Sequence, residues 1–263
     1  MPDPKYSPRN IPPPVFSLEG QLAVITGGGS GIGFYIAQCM TAAGARVLIT
    51  GRREEVLKEA AADLGDKASY IVNDVTDTAG LPGLVDRIEK EAGPITTLVN
   101  NAGINMKKPI WEVTDGDFDK ILQTNLHAVF SLTRECARRM KERRAGSVIM
   151  LSSMAALYGI DRVIAYSASK SAVGGMVKAM ATEFSPFNIR VNAIAPGFIE
   201  TPMMLTAMNG DPSRRDKALD RTPMGIWGKP EDIGWAAVYL ASPAAKFVTG
   251  VTLPVDGGNS IGF

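Results

Sequence analysis

The sequence predicts an α/β fold, a doubly wound seven-stranded parallel sheet with helices on both faces in a single domain. Three observations lead there. Short apolar runs alternate with longer segments of helical period, and a glycine cluster sits between the first run and the first helix. The composition is that of one ordinary globular domain, 263 residues with 45% hydrophobic and 21% charged. Strands that are apolar almost throughout need cover on both faces, which helices flanking a parallel sheet provide.

Taken in order, residues 1–17 include six prolines, which donate no ladder hydrogen bonds and favour extended chain. This stretch reads as an arm, either loose or lying on a neighbouring subunit. Strands are expected at Leu22–Thr26, Arg46–Thr50, Ser69–Val72, Thr97–Asn100, Ser147–Leu151, Arg190–Ile194 and Val251–Val255. Gln21–Ala45 carries no charge over 25 residues, enough to span a bilayer. Its six glycines argue instead for strand, turn and buried helix, since each would cost a helix interior roughly 1 kcal/mol relative to alanine. Helical period predicts two long helices, Asp117–Arg144 and Ala165–Phe184. After the sixth strand, residues 198–228 are rich in Met, Pro, Gly and charge where such a sheet opens its ligand crevice, and read as a substrate lid.

Twenty-eight Lys and Arg against 27 Asp and Glu leave a formal net charge of +1, so no global field favours nucleic acid or an anionic membrane. The two cysteines, Cys39 and Cys136, make neither a disulfide framework nor a zinc set, no metal site is expected, and no leader pattern is recognised. A reduced, cytoplasmic setting is the expectation.

The cluster Thr26-Gly-Gly-Gly-Ser-Gly-Ile-Gly33 follows one strand and opens a helix. Glycines let backbone approach a pyrophosphate, and the helix N-terminus offers it unpaired N–H groups and partial positive charge. The spacing Gly27, Gly31, Gly33 departs from the familiar dinucleotide fingerprint. About 20 residues on, a dinucleotide fold places an acid on the ribose 2′-hydroxyl or a base on a 2′-phosphate. Here stands Gly51-Arg52-Arg53, with no carboxylate before Glu54. Arg52 is the candidate phosphate clamp and Arg53 its second, the plainer reading being solvated arginines at a helix start.

Tyr166 and Lys170 lie four apart on an expected helix, hence on one face. An adjacent ammonium favours phenolate, which brings a tyrosine toward the range useful for proton transfer. Such a pair is often plain surface, and its weight comes from company at other strand ends: Ser152-Ser153, Asn100-Asn-Ala-Gly103 and Pro196-Gly197.

With these motifs in order, the chain resembles the short-chain dehydrogenase/reductase family from Leu18 to Val255-Asp-Gly-Gly258. The resemblance implies a Rossmann-like fold and an NAD(P)-dependent oxidoreductase acting on CH–OH groups. It implies cofactor contacts from Thr26, Gly27, Gly29, Ser30, Gly31, Ile32 and Gly33, from Asp74 and Val75 on the adenine side, and from Asn100, Asn101, Ala102 and Gly103. Pro196, Gly197, Ile199 and Thr201 match the segment that grips the nicotinamide. Ser153, thirteen residues before Tyr166, would bond the substrate carbonyl, Tyr166 would be the acid/base, and Lys170 would lower its pKa and hold the nicotinamide ribose. Asn125 resembles the helix asparagine that positions a water for a proton relay. NADP(H) is the preferred cofactor from Arg52, with NAD(H) second. Within the family the chain is similar to gluconate 5-dehydrogenase-like sugar and sugar-acid oxidoreductases, the alternatives being a 3-oxoacyl-(acyl-carrier-protein) reductase or a non-catalytic cofactor-binding protein. Many relatives are tetramers, and two long helices with the apolar tail Ile261-Gly-Phe263 make a homotetramer the expectation. Many relatives also carry arginine where this chain has Ile226.

Other residues read plainly. His127, the one histidine, is expected in core or subunit-interface packing, and both cysteines as buried thiols. Met203, Met204, Met208 and Met224 suggest adaptable packing in the lid, and Arg214-Arg215 solvated surface. Asn105, Lys107 and Lys108 after the fourth strand offer donors to substrate hydroxyl and carboxylate groups, if the lysines do not simply face solvent.

Overall fold

The computed structural model describes residues 16–201, 204–205 and 212–262. Seven parallel strands form one sheet in the order β3-β2-β1-β4-β5-β6-β7. They are β1 Leu22–Thr26, β2 Arg46–Gly51, β3 Ala68–Val72, β4 Thr97–Asn100, β5 Gly146–Leu151, β6 Ile189–Pro196 and β7 Thr252–Val255. Every expected strand is present, β1 and β4 with the expected bounds and the others with ends shifted by at most two residues. The order reverses between β1 and β4, so the loops leaving these two strands diverge and open a crevice at their C-terminal ends.

Helices α1 Gly31–Ala42, α2 Glu54–Leu64 and α8 Pro230–Ala241 belong with one face, where Ile25, Ile36, Met40, Ile49, Leu57 and Val238 bury. Helices α3 Leu81–Ala92, α5 Ala128–Arg143 and α6 Ile164–Phe184 belong with the other, around Leu98, Leu132, Met140, Val148, Val173 and Val177. Fully burying one such side chain is worth about 1.5–3 kcal/mol, so the two layers fix the sheet that carries the site. Contact between α1 and α8 is close enough that a Cβ on Gly234 would lie 2.5 Å from Cys39 Sγ, which is why glycine stands there.

The single helix expected over Asp117–Arg144 is in fact three pieces. Helix α4, Asp115–Leu122, starts at a capping box in which Thr114 Oγ1 accepts from Asp117 N at 3.1 Å and the Asp117 carboxylate accepts from Thr114 N at 3.2 Å. A π turn, Gln123–His127, follows, and α5 then runs to Arg143. Apolar spacing does not register the one extra residue of a π turn, which here buries Asn125 completely. His127 is exposed, which overturns core packing for it.

Residues 1–15 of the proline-rich arm and Phe263 lie outside the described residues. Phe16 stands 6.3 Å from the Tyr239 ring, and Leu18 is buried with its N–H donating to Ala43 O at 2.8 Å. The expected lid is tied at its base, where Ile199 and Gly228 form a parallel bridge and Phe198 packs edge-on to Trp227 at 5.9 Å. Helix α7, Pro212–Asp220, lies within it. Met203, Met208 and the Arg214 side chain lie outside the described residues; Met224 is 66% exposed rather than packed, Ile226 is 59% exposed, and Arg215 is at the surface as expected. Among the described residues, no helix is long and apolar enough to cross a membrane, so the uncharged run at Gln21–Ala45 is core.

Candidate active site

The glycine loop is stitched from below. Thr26 Oγ1 accepts from Asn101 N at 3.1 Å and Ala102 N at 3.0 Å, and Asn101 Nδ2 donates to Thr26 O at 3.0 Å and Gly27 O at 3.1 Å. Asn100 turns away, donating from Nδ2 to Thr133 Oγ1 at 2.9 Å. The side chains of Thr26, Asn100 and Asn101 thus help to build the loop. Their cross-strand bonds hold Gly27 in the left-handed region, at φ 66°. Gly33 permits closest approach, since a Cβ there would stand 2.4 Å from both Gly27 O and Asn101 Nδ2.

Above this stitching the loop is open. Gly31 is left-handed at φ 55° with nothing within 4 Å of where a Cβ would point, and Ser30, the N-cap of α1, is exposed and makes no side-chain cap bond. The first turn of α1, which includes Ile32, holds no acid. Unpaired helix N–H groups beside an open glycine surface form a cradle for a phosphate group, so the residues fit the pyrophosphate of a dinucleotide.

At the end of β2, Arg52 and Arg53 are both exposed. Asp74 accepts from Thr76 N at 2.9 Å and Thr76 Oγ1 at 2.8 Å, and these bonds, helped by the charge of Arg52, hold its carboxyl below the usual range. Val75 beside it is half-buried. Buried Thr50 Oγ1 has no hydrogen-bond partner in this corner.

Across the crevice, Lys170 is only 5% exposed and donates from Nζ to Leu151 O at 2.6 Å. Burial pushes its pKa down to about 8. The ammonium stands 5.6 Å from the centroid of the Tyr166 ring. For Tyr166 burial dominates and raises the phenol above its ordinary range, while the hydrogen bond with Ser153 pulls it back. Helix spacing therefore brings the pair together as expected, and desolvation is the largest influence on the phenol. Ser153 is the N-cap of a short 3-10 turn, Met154–Ala156, accepting from Ala155 N at 3.2 Å.

Asn125 joins the two walls. Its Oδ1 accepts from Ile104 N and its Nδ2 donates to Ile104 O, both at 2.8 Å, and Nδ2 also reaches Ser169 Oγ at 3.2 Å. With both side-chain polar atoms engaged, Asn125 clamps the loop after β4 to α6. A Cβ on Gly103 would lie 3.2 Å from Asn125 Oδ1 and 3.7 Å from Lys170 Nζ, so three elements converge on this glycine. Lys108 is occupied by Asp117 at 2.7 Å, a bond that lowers the Asp117 carboxyl to about 2. Asn105 and Lys107 are exposed. Pro196 ends β6, and a Cβ on Gly197 would stand 2.6 Å from Asp256 Cα, locking the start of the Ile199–Thr201 segment against the C-terminal turn. Thr201 Oγ1 accepts from Met204 N at 3.2 Å. Among the described residues no cluster of His, Cys, Asp and Glu could hold a metal, and both cysteines are buried and unpaired.

Three comparisons bear on this arrangement. A family model described as Enoyl-(Acyl carrier protein) reductase matches residues 27–260. The NADP-dependent (R)-specific alcohol dehydrogenase of Lentilactobacillus kefiri is 42% identical over 248 residues, covering 92% of this chain and 97% of its own. Gluconate 5-dehydrogenase of Gluconobacter oxydans is 37% identical over 252 residues, covering 95% and 98%. Among solved structures, a gluconate 5-dehydrogenase from Burkholderia cenocepacia in complex with NADP and tartrate superposes with a TM-score of 0.90 at 35% identity, over 95% of this chain and 98% of that one. A parallel seven-stranded sheet, an open glycine loop at its switch point, a Ser153-Tyr166-Lys170 cluster facing that loop and relatives matched almost end to end all agree, and the chain belongs to the short-chain dehydrogenase/reductase family.

Proposed function

We propose that this protein is an NADP(H)-preferring oxidoreductase that interconverts a secondary alcohol and a ketone on a small sugar or sugar acid, in the manner of a gluconate 5-dehydrogenase. The observation that carries the reaction class is the meeting of Ser153, Tyr166 and Lys170 across the crevice from an open phosphate cradle. A bound nicotinamide supplies or accepts the hydride. In the reducing direction Ser153 donates a hydrogen bond to the carbonyl oxygen and Tyr166 gives that oxygen its proton, so that C=O becomes CH–OH. A phenol kept protonated by burial suits that donation. The Lys170 ammonium is the buried positive charge that offsets phenolate formation once the proton has left, and it would hold the nicotinamide ribose. Gly27, Gly29, Ser30, Gly31, Ile32 and Gly33 would hold the pyrophosphate, Asp74 and Val75 the adenine side, Ala102 and Gly103 the wall after β4, and Pro196, Gly197, Ile199 and Thr201 the nicotinamide end. Arg52, with Arg53 beside it and no carboxylate at Gly51, would take a 2′-phosphate. Residues 198–228 would cover the substrate, with the Ile199–Gly228 bridge as the fixed base.

The substrate class rests on the sugar-acid relatives. A 3-oxoacyl-(acyl-carrier-protein) reductase is the second reading, favoured by a relative of that name in Thermotoga maritima, 38% identical over 245 residues, and by exposed Lys107 and Arg215, which an acidic carrier could dock on. A non-catalytic cofactor-binding protein would need none of Ser153, Tyr166 and Lys170. A cytoplasmic homotetramer is the proposed form. Exposed Trp111, Ile110, Phe130, Leu157 and Ile164 support assembly, and a monomeric mass in light scattering would reject it.

The deciding experiment follows reduced nicotinamide absorbance across gluconate, keto-sugar acids, sugar alcohols, simple secondary alcohols and an acetoacetyl thioester, with both cofactors. Turnover of a sugar acid or polyol linked to NADP(H) is expected. Efficient thioester reduction without activity on the sugar acids would replace the first reading with the second.

A further inference from the structure

A second tyrosine lies between the two proposed catalytic hydroxyls, and the reading above gives it nothing to do. Tyr158 sits five residues after Ser153 and eight before Tyr166, and its hydroxyl donates to Asn259 Oδ1. Asn259 is completely buried although it belongs to the turn that follows the last strand. Its Nδ2 donates to Thr222 Oγ1 at 2.9 Å and Ala218 O at 3.4 Å, at the end of α7 and just beyond it. Arg221 closes the knot, with Nε donating to Asn259 O at 3.1 Å and the guanidinium lying 4.0 Å from the centre of the Tyr158 ring.

The C-terminal turn is built to hold that position. Asp256 accepts from Gly258 N at 3.0 Å and Ser260 N at 2.7 Å, which bends the chain back, and Met224 N donates to Gly257 O at 3.1 Å. Gly257 and Gly258 are left-handed at φ 60° and 86°, and a Cβ on either would press to about 3 Å against Thr222 or Pro223, so side chains are excluded where the two segments meet. The segment from Ser153 to Val163 is anchored at its two ends, where Ser153 bonds Tyr166, where Met154, Ala155 and Val163 are buried, and where Lys108 N donates to Arg162 O at 2.8 Å. Tyr158 is therefore the side chain through which the middle of this segment is fixed to the rest of the protein.

We propose that Tyr158, Arg221 and Asn259 are positioning residues: the C-terminal turn, bound at once to the Ser153 segment and to the end of α7, sets where the Ser153 hydroxyl stands relative to Tyr166. This rests on the reading of Ser153 and Tyr166 given above. None of the three touches the reacting atoms. They act by holding the carbonyl's hydrogen-bond donor within the narrow geometry that proton and hydride transfer share, where a shift of about 1 Å can cost on the order of a hundredfold.

Tyr158→Phe tests the proposal, because it deletes the hydroxyl and keeps the ring for Arg221. On whichever ketone the substrate panel identifies, kcat should fall roughly tenfold, the KM for ketone should rise, and the NADPH dissociation constant should not change. The deuterium isotope effect on kcat with C4-labelled NADPH should increase, because only the chemical step has slowed. Asn259→Ala should do at least as much, and adding Tyr158→Phe to it should cost little more, as expected of residues acting through one contact. Wild-type kcat, KM and isotope effect in Tyr158→Phe, on a substrate for which Tyr166→Phe is inactive, would overturn the positioning role and leave the reaction assignment standing. A reduced kcat with unchanged KM and isotope effect would overturn it too, since that marks fewer folded molecules. If Tyr166→Phe itself retained full turnover, the assignment of the site would fall, and this proposal with it.

Discussion

The glycine loop after β1 is held by the strand beside it, with four bonds joining Thr26 and Gly27 to Asn101 and Ala102 across the β1–β4 seam. The wall opposite, from Ser153 to Val163, is held by Asn259, about a hundred residues further along the chain. The cofactor side is thus a product of one compact βαβ neighbourhood, with its backbone conformation imposed from beneath. The substrate side is assembled from the segment after β5, the end of α7 and the C-terminal turn. Similar chains whose names carry an alcohol, gluconate and galactitol are well served by that division.

Each half can be broken separately. The largest expected effect belongs to the catalytic wall: Tyr166→Phe removes the proton carrier but keeps the ring, so turnover should fall about 10²–10⁴-fold with cofactor binding nearly intact. A loss below about tenfold would sink the assignment.

Gly33→Ala attacks the other half. Its Cβ would meet the Gly27 carbonyl and Asn101 amide at 2.4 Å, so the seam itself must move. NADPH affinity should fall by at least about tenfold, in step with a loss of stability of about 1–3 kcal/mol. Isothermal titration together with urea unfolding would show the two losses arriving together, and wild-type affinity would mean the cradle tolerates what the geometry forbids.

A gentler change sharpens the comparison at the rim of the cofactor half. The double change Gly51→Asp and Arg52→Ile should shift kcat/KM from NADP(H) toward NAD(H) by roughly ten- to a hundredfold, the worth of one charge-assisted guanidinium–phosphate contact. A wild-type preference for NAD(H) would contradict the role given to Arg52.

Smallest is a stability effect. Lys170 has its pKa depressed from 10.5 to about 8 by burial, so between those values the unfolded chain binds more protons and stability rises with pH. The buried charge weighs on the fold most fully below pH 8. Lys170→Met should therefore be more stable than wild type at pH 7, its advantage shrinking by about 1–3 kcal/mol as pH approaches 10.5. Parallel urea midpoints across that range would contradict the burial argument. The stitched cofactor half should show no matching gain, because no side chain in it is a buried ammonium.

By itself the sequence determined the parallel sheet, the glycine cradle and the Tyr166-Lys170 pair, because each is a local pattern. Apolar runs of strand length, a glycine cluster between strand and helix, and a four-residue spacing are all set by periodicity along a few turns of backbone. Tertiary structure alone decided the rest. It broke the Asp117–Arg144 helix with a π turn to bury Asn125, engaged Lys108 with Asp117, stitched Thr26 to Asn101, and let burial outweigh the Ser153 hydrogen bond in governing Tyr166. It also tied Tyr158 to Asn259 across 101 residues. The Asp256-Gly-Gly-Asn259 run announces a tight turn, but nothing in it names a partner. Hydrogen bonds between side chains far apart in the chain, and the desolvation of one group by another, have no period. They exist only once the layers have packed and placed those groups together.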